Sequence, residues 1–215
     1  MCARALLFFV SLLTGAHAEV IDRIAVRLDN QVITQSEILR EIRLTAFLNG
    51  DSLDFSTESR KKAADRLIEQ KLIRKEMEQL HYVEAAPAEV ESMLKEVRAQ
   101  RFHDAEEYRG TLKNYGIAEQ DLKAHLVWQV TFLHFIDLRF RPGIQITGDE
   151  IRKYFDKELP ELQKRAGRDN TISFNDLRDK LEQNLTDERI DKQLDEWLVQ
   201  ARKRIHIEFR PEAFQ

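Results

Sequence analysis

The chain has 215 residues, 33% of them charged, and a formal net charge of −4 at pH 7. Because nucleic-acid-binding domains usually carry a basic patch or stripe, this acidic balance argues against nucleic acid as a partner. Seven glycines and four prolines are few for an all-β fold with many turns, whereas the high charge suits long amphipathic helices that face solvent. At this length we expect one domain.

Residues 1–18 have the order of a secretory signal peptide. Arg4 precedes an apolar run over residues 5–13, and Ala-His-Ala at 16–18 supplies a small-residue cleavage site. We therefore expect export, with cleavage after Ala18 and loss of Cys2, the only cysteine of the chain. The alternative is an N-terminal membrane anchor, although the apolar run is far shorter than the roughly 20 residues of a spanning helix. No other segment approaches that length, so we expect residues 19–215 to have no membrane span.

Two short segments near the ends of the mature chain alternate apolar and other residues, which is the strand period. They are Ile24–Leu28 and Ile205–Phe209, and a brief further strand is expected at Val32-Ile33 after a tight turn. An isolated strand leaves its backbone groups without partners, so we expect the N-terminal and C-terminal strands to pair with each other.

Helix start and stop signals predict seven helices between these strands. The first begins with a capping box, in which Thr34 is the N-cap and Glu37 lies three residues on, and it ends at Asn49-Gly50. Four further helices are expected from about Thr57 to Tyr82, from Pro87 onward, from Asp104 to Tyr115, and from Glu119 to about Phe140. The sixth begins at Thr147 and stops before Pro160. The seventh begins at Ser173, where Asp176 lies three residues on in place of the glutamate of a capping box. A polar loop is expected over 161–170. The fold class is therefore mostly α: a multi-helix core with a small β element.

Several segments, in this order, are similar to one known family. They are Asp22–Glu37, Ala64–Ile73, Tyr115-Gly116-Ile117 with Asp121-Leu122, Ile146–Phe155, and Leu194–Leu198 followed by Arg202 and Ile205–Ile207. Together they resemble the SurA-type periplasmic chaperones and the parvulin foldases related to them, over nearly all of the mature chain. The resemblance implies a periplasmic chaperone core whose clients are outer-membrane β-barrel precursors or other exported proteins.

The chain departs from that family at the site of the isomerase domain. A parvulin domain of about ninety residues often lies there, whereas Tyr154 and Ser173 are separated by only 18 residues. We therefore expect an N-terminal helical module over 19–156, a short linker over 157–172, and a C-terminal helix and strand over 173–215 that complete the core. The resemblance implies no parvulin and hence no prolyl isomerase activity.

Motifs for catalysis, metals and cofactors are not evident in the sequence. The histidines form no i,i+4 pair and no HExxH, and there is no P-loop or GxGxxG. We expect His134 to be a partly buried core residue, and Asp104 to be an N-cap rather than a partner of His103. We therefore predict no catalytic residue, no metal ligand and no cofactor.

The helix over 119–140 is apolar around most of its circumference. Trp128, Phe132 and Phe135 share one broad face, while Leu122, Leu126, Leu133 and Ile136 lie mostly on another. Such a helix either lies at the centre of the core or has a face that a transiently bound partner covers. In the second case the three aromatic residues and Met93 would line a client-binding crevice, since flexible and aromatic side chains repack around different partners.

The sequence thus leaves three functional hypotheses. The first is an ATP-independent holdase that binds unfolded or partly folded exported polypeptides. The second is a dedicated scaffold subunit for one folded partner in envelope assembly, and the third is an enzyme, including an isomerase acting in trans. The oligomeric state stays open, a homo-oligomer included.

Overall fold

The computed structural model describes residues 22–166 and 173–215, so the expected signal peptide lies outside the described residues. The described chain is mostly helical, with one small antiparallel sheet built from both ends of the chain, as the sequence predicts. In chain order the elements are β1 (Ile24–Leu28), β2 (Gln31–Thr34), α1 (Gln35–Asn49), α2 (Thr57–Gln79), α3 (Pro87–Arg101), α4 (Ala105–Tyr115), α5 (Glu119–Phe140), α6 (Gly148–Ala166), α7 (Phe174–Lys203) and β3 (Ile207–Phe209).

The sheet has the strand order β2-β1-β3, with both pairs antiparallel. In the β1–β3 pair Val26 lies opposite Phe209 and Leu28 lies opposite Ile207, which confirms the predicted pairing of the terminal strands. Ala25 and Val26 have no exposed surface, so β1 is the buried centre of the sheet. The third strand begins at Ile207 rather than Ile205.

Local capping signals place most helix ends where the sequence predicts them. The capping box of α1 is complete, with the Thr34 backbone N–H donating to Glu37 Oε2 at 2.7 Å and the Glu37 N–H donating to Thr34 Oγ1 at 3.3 Å. Gly50 and Gly116 end α1 and α4 in the left-handed conformation, with φ of 76° and 65°. The predicted start of α7 is confirmed, since Ser173 is its N-cap, but Ser173 makes no side-chain capping hydrogen bond.

The predicted stop before Pro160 is wrong, because α6 continues through Pro160 to Ala166. The first part of the predicted loop over 161–170 is therefore helical, and its last residues lie outside the described chain. A proline inside a helix removes one hydrogen bond to the carbonyl four residues earlier. Both Pro160 and Asp156 are exposed, so water is able to hydrate that carbonyl. Packing of Ile151 and Phe155 against α7 holds the helix in place.

Two main apolar clusters form the body of the protein. The first joins the sheet and α1 to α2, the second half of α5 and the end of α7. The second lies on the other side of α1, against α3, α4 and the first half of α5. A smaller cluster, made of Ile136, Phe140 and Ile190, fastens α7 to α5.

The remaining cluster belongs to α6 and the first half of α7, which we call the α6–α7 hairpin (residues 148–166 and 174–189). Its centre is Ile151, Phe155 and Leu181, and the rings of Phe155 and Phe174 meet edge to face at 5.4 Å. This contact, rather than a side-chain cap, holds the start of α7.

Candidate functional site

The three aromatic residues predicted for client binding lie together, and two of them are fully packed in the core. Trp128 is 6% exposed and Phe135 is 3% exposed. Phe132 is half-buried and stacks on Trp128, with ring centroids 5.5 Å apart. The Phe135 ring meets Tyr82 edge to face at 5.3 Å. The structure thus brings these aromatic residues into the first core cluster, where they hold α5 against the sheet side of the body.

Met93 does not join them. It is half-buried on α3 and packs against the second core cluster, whose members include Leu94, Leu122 and Leu126. The four predicted client-binding residues therefore do not share one crevice in this conformation.

The opposite face of α5 carries the exposed apolar residues. Leu133 is 60% exposed and Leu138 is 65% exposed, whereas Ile136, which periodicity places on the same face as Leu133, is 9% exposed. The reason is that α3 packs on one side of α5 and α7 on the other, which leaves a strip of α5 uncovered between them. His134 lies on this strip, with its side chain 48% exposed and paired to Glu89 at 3.2 Å. It is therefore not the core histidine that the sequence predicts.

The loop between α2 and α3, which contacts α5, carries two further exposed apolar side chains. Leu80 is 53% exposed and Val83 is 82% exposed. The loop is held on α5 by the Tyr82–Phe135 ring contact and by the Ala85 N–H, which donates to Thr131 Oγ1 at 2.9 Å. We call the four exposed residues Leu80, Val83, Leu133 and Leu138 the α5 face. Periodicity did not indicate it, although the polar neighbours His134 and Asp137 were a signal that this side of the helix meets solvent.

A small cavity of about 190 Å³ lies over Trp128, between α1, α2 and α5. The guanidinium of Arg74 covers the indole at 4.3 Å from the ring centroid, a cation–π contact that is strongest with tryptophan. The Arg74 side chain is itself 43% exposed and pairs with Glu84 at 3.7 Å. Trp128 is thus separated from solvent by one flexible side chain.

Beside this cavity lies a buried polar cluster that ties the same three helices together. Glu41 is 5% exposed and accepts from Arg66 Nε at 3.0 Å and from the Thr45 hydroxyl at 3.3 Å. His125 Nδ1 lies 3.9 Å from the second Glu41 oxygen. Burial lowers the pKa of His125, and the Glu41 carboxylate only partly offsets this effect. His125 is therefore neutral at pH 7, and Arg66 is the cation that compensates Glu41.

Polar contacts at its base hold the two helices of the α6–α7 hairpin together. Thr147 donates its backbone N–H and its hydroxyl to Glu150 at 2.8 and 2.9 Å, and Glu150 also pairs with Arg189. These contacts lower the pKa of Glu150 to about 2. Higher on the hairpin the Tyr154 hydroxyl donates to Glu188 at 2.8 Å, and this bond raises the pKa of Tyr154 to about 12. These contacts thus hold α6 and α7 together within the hairpin at neutral pH.

Within residues 22–166 and 173–215, no three His, Cys, Asp or Glu side chains are grouped so that they could hold a metal ion. None of the helices in the described part of the chain is long and apolar enough to cross a membrane.

Comparison of the sequence with models of known protein families and with curated proteins gives no match. The resemblance to SurA-type chaperones therefore rests on the residues quoted above.

Proposed function

We propose that the protein is an ATP-independent holdase of the periplasm, which binds unfolded exported polypeptides, among them outer-membrane protein precursors. The α5 face is the observation that carries this proposal. Its four apolar side chains are between 53% and 82% exposed and lie around one helix and the loop held on it. Single exposed apolar residues are ordinary, whereas a contiguous apolar patch is a feature of interaction sites, and the proposal requires that these four residues form one.

The chemistry of the α5 face suits a client without fixed structure. Its side chains are aliphatic and flexible, and they lie on an open surface rather than in a shaped pocket, so they favour any extended apolar segment over one particular ligand. His134 and Asp137 lie between Leu133 and Leu138 and keep the surface hydrated when no client is bound. Binding the unfolded state removes free client from aggregation by mass action and needs no nucleotide.

The resemblance to SurA-type chaperones supports the same function. In that family a parvulin domain often lies after the helix that begins near Thr147. Here α6 continues to Ala166, and only 18 residues separate Tyr154 from Ser173. We therefore propose chaperone activity without prolyl isomerase activity.

Light scattering tests the proposal directly. An unfolded outer-membrane β-barrel protein is diluted from urea with and without residues 19–215 of this chain. We expect suppression of aggregation by the wild type. The variant Val83→Gln/Leu133→Gln should need about tenfold more protein for half-suppression, because each side chain contributes about 0.7 kcal/mol of apolar contact to the bound client.

The control is Leu53→Gln/Val199→Gln, which also replaces one leucine and one valine but at exposed positions outside the α5 face. It should behave as the wild type, and circular dichroism checks that all variants are folded. No suppression by the wild type at several-fold excess would sink the holdase and favour the dedicated scaffold. Equal suppression by both double variants would remove the α5 face as the client site.

A further inference from the structure

The α3–α4 cleft is a second concave surface, of about 480 Å³, between the last turns of α3 and the first turns of α4. A volume of this size falls in the range of ligand pockets. Each wall is one helix face, because its residues lie three or four positions apart. The walls are Lys95, Arg98, Ala99 and Phe102 on one side, and Ala105, Tyr108 and Arg109 on the other.

The base of the cleft is aromatic. The rings of Phe102 and Tyr108 meet edge to face at 5.3 Å, and Phe102 stays half-buried while Tyr108 is 3% exposed. The Arg98 guanidinium lies 4.4 Å from the centroid of the Tyr108 ring. Two ring edges and a flat cation form a surface on which another ring or a branched aliphatic side chain packs well.

Two buried polar atoms at this base lack a hydrogen-bond partner. They are Arg98 Nε and the Tyr108 hydroxyl, and only one other buried side-chain nitrogen or oxygen in the described chain, Arg60 Nε, shares this condition. Buried polar groups without partners are rare in native proteins and each of them calls for an explanation.

The acidic groups of the cleft are already occupied. The Asp104 carboxylate caps α4 and accepts the backbone N–H groups of Glu106 and Glu107, both at 2.8 Å. These bonds lower the pKa of Asp104. Glu119 pairs with Arg98 Nη2 at 2.8 Å and with Lys123 at 3.4 Å.

The two cations at the rim are less engaged, although Arg109 is near enough to Asp104 to contribute to the lowering of its pKa after the backbone hydrogen bonds. Lys95 and Arg109 lie on opposite walls, both exposed, and neither forms an ion pair within the described residues. Arg109 Nε donates to the Ala105 carbonyl at 2.9 Å, which leaves its terminal nitrogens available. In a chain of net charge −4, this cleft is therefore a place where an anion is attracted.

We infer that the α3–α4 cleft binds a polypeptide segment in which an aromatic or large aliphatic residue adjoins acidic residues. The apolar side chain packs on Phe102 and Tyr108, and a carboxylate pairs with Lys95 and Arg109. The exposed Ala99 and Ala105 leave the cleft open along its side, so the rest of the bound chain continues into solvent. This inference does not depend on holdase activity, because the α5 face is a different surface.

Fluorescence anisotropy tests it with fluorescein-labelled Gly-Ser-Glu-Phe-Glu-Ser-Gly as the probe. We expect saturable binding that weakens with added salt. Lys95→Gln/Arg109→Gln should weaken it about 2- to 30-fold, the range for two exposed ion pairs. Ala105→Trp, which fills the cleft, should abolish it. The control Lys153→Gln/Arg178→Gln removes one lysine and one arginine from exposed positions of the hairpin and should bind as the wild type.

Peptides with Gln in place of Glu, or with Ala in place of Phe, should bind at least threefold more weakly. Absence of probe binding to the wild type would overturn the inference, and so would binding that survives Ala105→Trp. Binding of dodecanoate in the cleft without binding of any peptide would also overturn it, since the occupant would then be a free amphiphile. None of these outcomes bears on aggregation suppression, which is measured separately.

Discussion

Phe135 and Leu133 are two residues apart on α5, and their truncation should have very different effects on stability. Phe135 is 3% exposed and packs edge to face on Tyr82 at 5.3 Å. Replacement by alanine removes a fully buried ring, which typically lowers the free energy of unfolding by about 3–5 kcal/mol. Leu133 is 60% exposed. Its truncation loses only a minor part of the roughly 2 kcal/mol that full burial of a leucine provides, so we expect less than about 1 kcal/mol.

Equilibrium unfolding in urea, followed by circular dichroism, measures both changes. With a slope near 2 kcal/mol per molar urea, Phe135→Ala should lower the midpoint by about 1.5–2.5 M at unchanged slope, and Leu133→Ala by less than about 0.5 M. If Phe135→Ala does not fold, Phe135→Leu should still show a smaller loss in the same direction. Equal midpoints for the two alanine variants would refute the assignment of the buried and exposed faces of α5.

Three further results follow from the structure. Burial holds the pKa of His125 below the ordinary value of about 6.5, so the unfolded state takes up a proton at this residue before the folded state does. The stability that neutral His125 provides is therefore present above about pH 6.5 and is lost as the pH falls toward the lowered pKa. His125→Gln should accordingly show a shallower loss of unfolding free energy than the wild type between pH 7 and pH 5. Absorbance titration at 295 nm should reveal a tyrosine with a pKa of about 12, and Tyr154→Phe should remove that transition; its persistence would exclude the Glu188 bond as the cause. Gly116→Ala should lower the unfolding free energy by about 1 kcal/mol, measured by urea unfolding, because φ of 65° is strained for a residue with a Cβ, whereas Gly110→Ala, in α4 with open space around it, should not destabilise the protein.

Features that depend on a few neighbouring residues were predictable from the sequence. Thr34 with Glu37, Pro87 at the first turn of α3, and Gly116 after α4 each satisfy backbone groups locally, so the fold around them has little influence. The pairing of β3 with β1 was also predictable, because the alternating segment at the C-terminal end has no strand near it in the sequence with which to pair.

Features that depend on how helices pack together were not predictable from the sequence. The local sequence at Pro160 predicts the end of a helix, but the apolar contacts of Ile151 and Phe155 with α7 outweigh one lost hydrogen bond. Periodicity separates two faces of α5 but does not predict which face a neighbouring helix covers, because that depends on the positions of α3 and α7 in the fold. The α3–α4 cleft forms only when one face of α3 packs at an angle to one face of α4, and the sequence of neither helix alone predicts that arrangement.

The β1–β3 pair also constrains the order in which the protein assembles. β1 and β2 are adjacent in sequence and are synthesised together, whereas β3 follows α7. β1 therefore lacks its second neighbour until almost the whole described chain exists. Contacts of such long sequence separation form late and slow folding. Until then Val26 and its neighbours present an apolar strand with one open edge, which is a template for aggregation. A nascent or truncated chain should therefore be prone to misassembly itself. A circular permutant in which a linker joins residue 215 to residue 22, so that Ala213 and Phe214 stay in the core, should fold faster than the natural order of elements.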